Sequence, residues 1–303
     1  HYSEGGNIMK GKRLAASKMI LHIVLILLSL TFIIPFLYVI SISFTDETAI
    51  DEFGYRLIPK LFSTAAYRYV FANPQKIIWA YKTTIIESAA ATVFGLIVMS
   101  MLAYALSRRE YKYKNILSLF VYFTTLFSGG MVPIYILNTQ YLHLDNTIWI
   151  YIVPCLVNAF HVIVIRTFFQ GLPDALMESA RIDGCSEIRT LFQIVLPLSK
   201  PVLATVGLMT LLARWNEWNA SLLYVRDEKL YTLQYLLQKI LREADFVSRM
   251  AQNMPQQVSQ TQKLPTDAMR FALCVVAAGP MVAIFPFFQK YFARGLTVGA
   301  VKG

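Results

Sequence analysis

The chain of 303 residues carries a net charge of +10, yet 56% of it is hydrophobic and only 15% is charged. With a mean hydropathy of +0.50, these values exclude an ordinary soluble domain. No polar segment interleaves basic residues with exposed aromatics, so nothing points to a nucleic-acid partner.

His1 to Ile8 is polar, precedes Met9, and does not enter the reading of the fold. Six stretches that follow are long and apolar enough to cross a bilayer as helices, which takes roughly 20 residues each. They are Met19–Phe44, Thr84–Leu106, Ile116–Asn138, Ile148–Phe169, Val202–Leu223 and Met269–Tyr291. The first is too long and too deep in the chain for a cleaved signal peptide, and no small-residue cleavage site follows it. The expected fold class is an all-α, multi-pass membrane protein, with residues 19–291 as one six-helix domain, 1–18 before it and a tail at 292–303. Pro35, Pro133, Pro154 and Pro280 fall within spans and are expected to kink them.

Lys10, Lys12, Arg13 and Lys18 precede the first span, and Arg108, Arg109, Lys112 and Lys114 follow the second, whereas residues 139–147 hold no Lys or Arg. Both termini are therefore expected in the cytoplasm, and the loops at 45–83 and 224–268 outside it. These flanks also account for most of the positive charge.

Catalytic chemistry is not expected. Cys155, Cys185 and Cys274 suggest neither a disulfide framework nor a metal site, and four scattered histidines give no HExxH. No Ser/His/Asp grouping reads as a hydrolase. No phosphate-binding G-x-x-x-x-G-K-[ST] segment is present, so any ATP must be bound by another chain.

Residues 171–201 form a charged island between the fourth and fifth spans. Pro173 suits the first turn of a helix, and Asp174 and Glu178 sit near its positive end. Gly184 fits a left-handed C-cap after Ile182 and Asp183. Ser186 with Glu187 opens a second short helix that runs to Pro197. An amphipathic connector resting on the membrane surface is the plain alternative.

The spacing of that island, Glu178-Ser179-Ala180, then Gly184, then Ile194-x-Leu196-Pro197, resembles the EAA loop of ATP-binding-cassette importer permeases, with Ser179 replacing one Ala. Phe168 to Pro173, Leu198 to Pro201, Trp215-Asn216-Glu217-Trp218 and the ending Gly295 to Gly303 are similar to the carbohydrate-importer branch. Phe127-Ser128-Gly129-Gly130-Met131-Val132-Pro133 is similar to a subgroup associated with oligosaccharides and polysaccharide fragments.

The resemblance implies a type I importer permease in a bacterial cytoplasmic membrane. A homologous second permease would complete the path, and an extracytoplasmic solute-binding protein would deliver an oligosaccharide. Two ATPase subunits, the same or different, would hold ATP and Mg, since this chain carries no cofactor. Glu178, Ser179, Ala180, Asp183, Gly184 and Pro197 would couple to the ATPase: Glu178 by a charge-assisted contact, Ser179 and Ala180 by a small docking face, Gly184 by the turn. The tail resembles the segment that threads between the ATPases in the maltose importer; a frayed end is the alternative.

Residues lining the path are sought among intramembrane polar groups, which usually face a bundle interior or cavity. Asn158, Trp215, Asn216, Glu217 and Trp218 are the candidates. Ser128 and Gly129 are read as helix-packing residues, Glu87 as interfacial, and Arg166 as able to snorkel. In the outer loop, Arg242, Asp245 and Arg249, followed by the Gln-rich run Gln252 through Gln262, are expected to meet the binding protein; disorder without function is the alternative. A secondary carrier would instead need two related halves and discontinuous helices with coupling-ion sites. A membrane enzyme on lipid-linked sugars would need a carboxylate, His or metal constellation, and none is apparent.

Overall fold

The computed structural model describes residues 4–253 and 266–300, and among them every regular element is helical, apart from an isolated antiparallel bridge between Thr45 and Phe62. The chain divides into two compact units, residues 1–72 with 241–276, and residues 73–240 with 277–303.

In the first unit, α1 (Glu4–Ser43) carries Pro35 and leaves its apolar side chains from Met19 to Leu37 exposed. Two short helices follow, α2 (Glu47–Phe53) and α3 (Ala65–Val70). Asp46 caps α2 by accepting the Thr48 amide at 3.1 Å, the ordinary N-cap role of an Asp.

The second unit is organised by α4 (Pro74–Ser107), 34 residues and so about 50 Å long. Pro74 opens it, where a missing N–H costs nothing. Its buried face runs through Ile77, Ala80, Thr84, Glu87, Ala91, Gly95, Met99, Ala103 and Leu106, the spacing of one helical stripe. Small residues in that stripe let neighbouring backbones approach: a Cβ on Gly95 would stand 3.6 Å from the Cys155 and Leu156 carbonyl oxygens.

The third apolar stretch is broken. After α5 (Lys114–Leu126) the backbone is extended at Phe127, turns through Gly130 at φ +85°, and resumes as α6 (Met131–Ile136), followed by a π-turn at Leu137–Tyr141. The two halves are bent by 114°. Only glycine adopts that φ without strain, so Gly130 breaks the helix where a single span was expected. Ser128 and Gly129, read as packing residues, are exposed at the bend.

The fourth stretch is also discontinuous. α7 (Trp149–Ile152) passes into a 3-10 turn at Val153–Cys155, and α8 (Ala159–Gln170) begins after Asn158, bent by 49°. Next come α9 (Asp174–Ile182), α10 (Glu187–Thr190), a π-turn at Leu191–Val195 and α11 (Leu196–Leu198). Pro197 lies inside this run rather than ending it; the π-turn accommodates a ring that lacks an N–H donor.

The fifth stretch, expected to run to Leu223, stops at Trp215: α12 (Lys200–Trp215) and α13 (Asn219–Tyr224) are separate helices. α12 packs with α8 on α4, around Met99, Ala103, Val162, Ile165, Val195 and Val206. Last come α14 (Leu233–Asn253) and α15 (Thr266–Ala300). The tail expected from residue 292 is thus helical to Ala300, and most of the Gln-rich run lies outside the described residues.

Among the described residues, three helical segments are individually long and apolar enough to span a membrane, Lys18–Ser43, Pro74–Ser107 and Thr266–Pro286. Three more qualify only as bent pairs, the third being Glu187–Leu198 with Lys200–Trp215, at 84°.

A buried polar knot secures the connection between α12 and α14. The Ser221 hydroxyl lies 2.7 Å from the Tyr151 hydroxyl and 2.9 Å from that of Thr232, while Thr84 accepts the Leu233 amide at 2.8 Å. Ser221, Tyr151, Thr232 and Thr84 are all fully buried, so these bonds satisfy groups that would otherwise be costly in an apolar interior.

Candidate functional site

The EAA-like island folds as two helices around a left-handed turn. Pro173 stands just ahead of α9 rather than within its first turn. Gly184 takes φ +74°, with Cys185 N donating to Ala180 O at 2.9 Å and Gly184 N to Arg181 O at 3.0 Å. That pair of bonds is a Schellman motif, which consumes the free carbonyls at the end of α9. Ser186 then caps α10, accepting the Arg189 amide at 3.3 Å.

Glu178, Ser179, Asp183, Gly184 and Pro197 are exposed. Ala180 is only 3% exposed and Met177 8%, so Ala180 faces inward and is no part of a free docking face. Exposed apolar side chains flank the turn instead, Ile182 at 86% and Ile188 at 68%. Isolated apolar residues on a charged connector give little signal in the sequence, and neither was anticipated.

A charge network lies between α9 and the end of α4. Arg181 donates to both carboxylate oxygens of Glu110 and also to Glu187 Oε1, at 3.1 Å. Glu187 Oε2 accepts the Tyr104 hydroxyl at 2.6 Å, and Arg108 Nη2 donates to that hydroxyl at 2.9 Å. The Arg181 guanidinium holds the Glu110 carboxyl below its ordinary range. Beside the network opens a cavity of about 490 Å³ lined by Ser107, Arg109, Gln170, Asp174, Glu178 and Arg181.

The residues expected along the path are not equivalent. Trp215 is 3% exposed and its Nε1 donates to Ala277 O at 2.9 Å; it is a packing anchor and lines no open surface. Asn158 is exposed, but as the N-cap of α8, accepting the His161 amide at 3.1 Å. Asn216, at the end of α12, donates to Leu212 O at 2.8 Å and accepts from Gln234. Glu217 pairs with Arg214 at 3.2 Å and accepts the Ala220 amide at 2.9 Å, and Trp218 is half-buried beside it.

Glu87, read as interfacial, is instead fully buried. One oxygen accepts from Ser88 Oγ at 3.3 Å, and the other has no partner. Its place on the packed stripe of α4, which apolar content alone does not reveal, decides this.

Among the residues expected to meet a binding protein, Arg242 and Arg249 are exposed on α14. Asp245 is held by Arg270 within the same unit, at 3.1 and 3.3 Å. No group of three or more His, Cys, Asp or Glu that could hold a metal occurs among the described residues.

Residues 112–298 match the family described as binding-protein-dependent transport system inner membrane component. Protein LplC of Bacillus subtilis is 38% identical over 89% of this chain and 90% of its own length. The polygalacturonan/rhamnogalacturonan transport system permease YtcP of Bacillus subtilis is 35% identical over 94% and 98%. A chain from the crystal structure of a bacterial ABC transporter that imports the acidic polysaccharide alginate superposes with a TM-score of 0.73, at 25% identity, over 96% of this chain and 99% of that one. Matched over most of its length in sequence and in fold, this chain belongs to the binding-protein-dependent transport system inner membrane components, the integral membrane permeases of ABC importers.

Proposed function

We propose that the chain is one of two homologous permease subunits of a bacterial ABC importer that carries oligosaccharides released from polysaccharides. In this reading it crosses the cytoplasmic membrane six times, the third and fourth crossings being bent pairs and the fifth formed by α12 beyond the cytoplasmic connector, with both termini inside, as the basic flanks favour. Two ATPase subunits hold ATP and Mg, and a solute-binding protein delivers the sugar. The relatives named for polygalacturonan, rhamnogalacturonan and alginate support a polysaccharide-derived cargo.

The observation that carries the coupling role is the Gly184 turn, which presents Glu178, Ile182, Asp183 and Ile188 to solvent on one rigid connector. Packed helices switch between discrete arrangements rather than stretching, so ATPase closure needs such a connector to reach them. The Arg214–Glu217 pair and Asn216, at the break between α12 and α13, are the groups best suited to meet sugar hydroxyls. Arg242 and Arg249 on α14 supply a polar face for the binding protein.

The test is purification of this chain with its partner subunits, followed by ATP hydrolysis and uptake in proteoliposomes with digests of polygalacturonan, rhamnogalacturonan and alginate. Stimulation and uptake by one of these digests is expected. Uptake that proceeds without ATP, driven by an ion gradient, would return the chain to the class of secondary carriers.

A further inference from the structure

Four polar links join α9 and α10 to the end of α4, one of them the exposed Arg109–Asp174 pair at 3.6 Å. Arg181 on α9 grips Glu110, in the turn after α4, through both guanidinium Nη atoms, and it reaches Glu187 at the start of α10. Glu187 accepts the Tyr104 hydroxyl from the last turn of α4, at 2.6 Å. Arg108 closes the circuit, its guanidinium 4.7 Å from the Tyr104 ring centroid and 3.6 Å from Glu187. The left-handed turn at Gly184 separates α9 from α10, and Arg181, on the α9 side, bonds across it to Glu187 while holding Glu110.

Covalently, this island continues only into α8 and α12. Both of those helices pack on α4, which carries the buried stripe at the centre of the unit. We propose that Arg181 and Glu110 form a tether that makes α4 follow the α9–α10 connector, so that movement delivered to α9 enters all three packed helices together. Both act as positioning residues; neither is placed at the sugar path. The inference rests on the reading of α9 as the ATPase contact given above.

A purely stabilising role fits the geometry poorly. The Arg181 and Glu110 side chains are 42% and 66% exposed, and ion pairs this wet add little to fold stability. A planar guanidinium fork on a carboxylate does impose orientation, and orientation is what a tether between two helices requires.

The experiment uses the complete importer in proteoliposomes, with binding protein and a polygalacturonan digest as probe, and reads sugar imported per ATP hydrolysed. Glu110→Gln and Arg181→Gln should each lower that ratio about three- to tenfold, and the double variant should be no worse than either single, the mark of two groups acting as one. Wild-type ratios in both single variants, or losses that multiply in the double variant, overturn the tether. Should Arg181→Gln impair assembly, Glu110→Gln decides alone, because Glu110 is exposed and lies between helices. Glu178→Ala is run alongside. If it uncouples while the other two do not, only the tether falls. If it too is silent, or if the wild-type complex ignores the digest, the underlying reading fails and takes the tether with it.

Discussion

Glu47 accepts a hydrogen bond from the Asp267 amide at 2.9 Å, reaching 220 residues along the chain to cap α15. Its second oxygen accepts the Ala268 amide at 3.1 Å, and the Thr266 hydroxyl lies 3.2 Å from the first. A carboxylate at a helix N-terminus satisfies free amides and opposes the positive end of the dipole. The first residue of α2 thereby holds the start of the last apolar helix.

Glu47→Ala should therefore lower stability by about 1–2 kcal/mol, the scale of a lost helix cap in a mostly buried setting. Glu47→Gln, which keeps an acceptor oxygen, should lose less. Thermal unfolding in detergent checks both; equal losses would show that the side-chain oxygen is not what matters.

Gly184→Val should uncouple transport without preventing insertion. At φ +74° an L-residue costs roughly 1–2 kcal/mol, and β-branching adds to that. No heavy atom outside its chain neighbours lies within 4 Å of a Cβ there, so the penalty is backbone strain alone. Gly184→Asn, better tolerated in the left-handed region, should retain much more ATP-driven uptake than the Val variant at matched expression.

Trp215→Phe should behave as a stability variant. It keeps an aromatic ring at a 3%-exposed position and deletes the bond to Ala277 O, at a cost of about 1–2 kcal/mol including the unpaired carbonyl. A lower Tm with an unchanged KM for sugar is expected. A selective rise in KM would restore Trp215 to the substrate path.

The pair of Glu228 with Lys76, 2.6 Å apart, predicts an acid-side loss of stability. The Lys76 ammonium holds the Glu228 carboxyl below its ordinary value of 4.5. A depressed folded pKa contributes stability that is complete above the unfolded value and disappears as pH falls through the folded one. Both side chains are 41% exposed, so the effect is small. The Tm of wild type should fall more steeply than that of Glu228→Gln as pH drops below about 4.5.

Local chemistry made the α9–α10 island legible in advance. Gly184 and Ser186 act on backbone groups within a few residues of themselves, so their spacing alone specifies the turn and the start of the second helix. The apolar stretches were equally legible as membrane material, because transfer out of water depends on composition summed over about 20 residues. Their continuity was not: the Gly129-Gly130 pair and Pro154 stood in plain view, yet apolar content outweighs a breaker in any such sum.

What only the tertiary structure decided is which side chains meet and which face is inward. In a membrane protein the lipid-facing and core-facing sides of a helix are both apolar, so nothing in the hydropathy of α4 distinguishes the buried Glu87 stripe from the face that carries the exposed Ile85 and Val93. The Arg181–Glu110 grip joins residues 71 apart, and the Glu47 cap joins residues 220 apart. Long-range polar contacts of this kind depend on where packing delivers the helix ends. The residues next to them in sequence carry no trace of that.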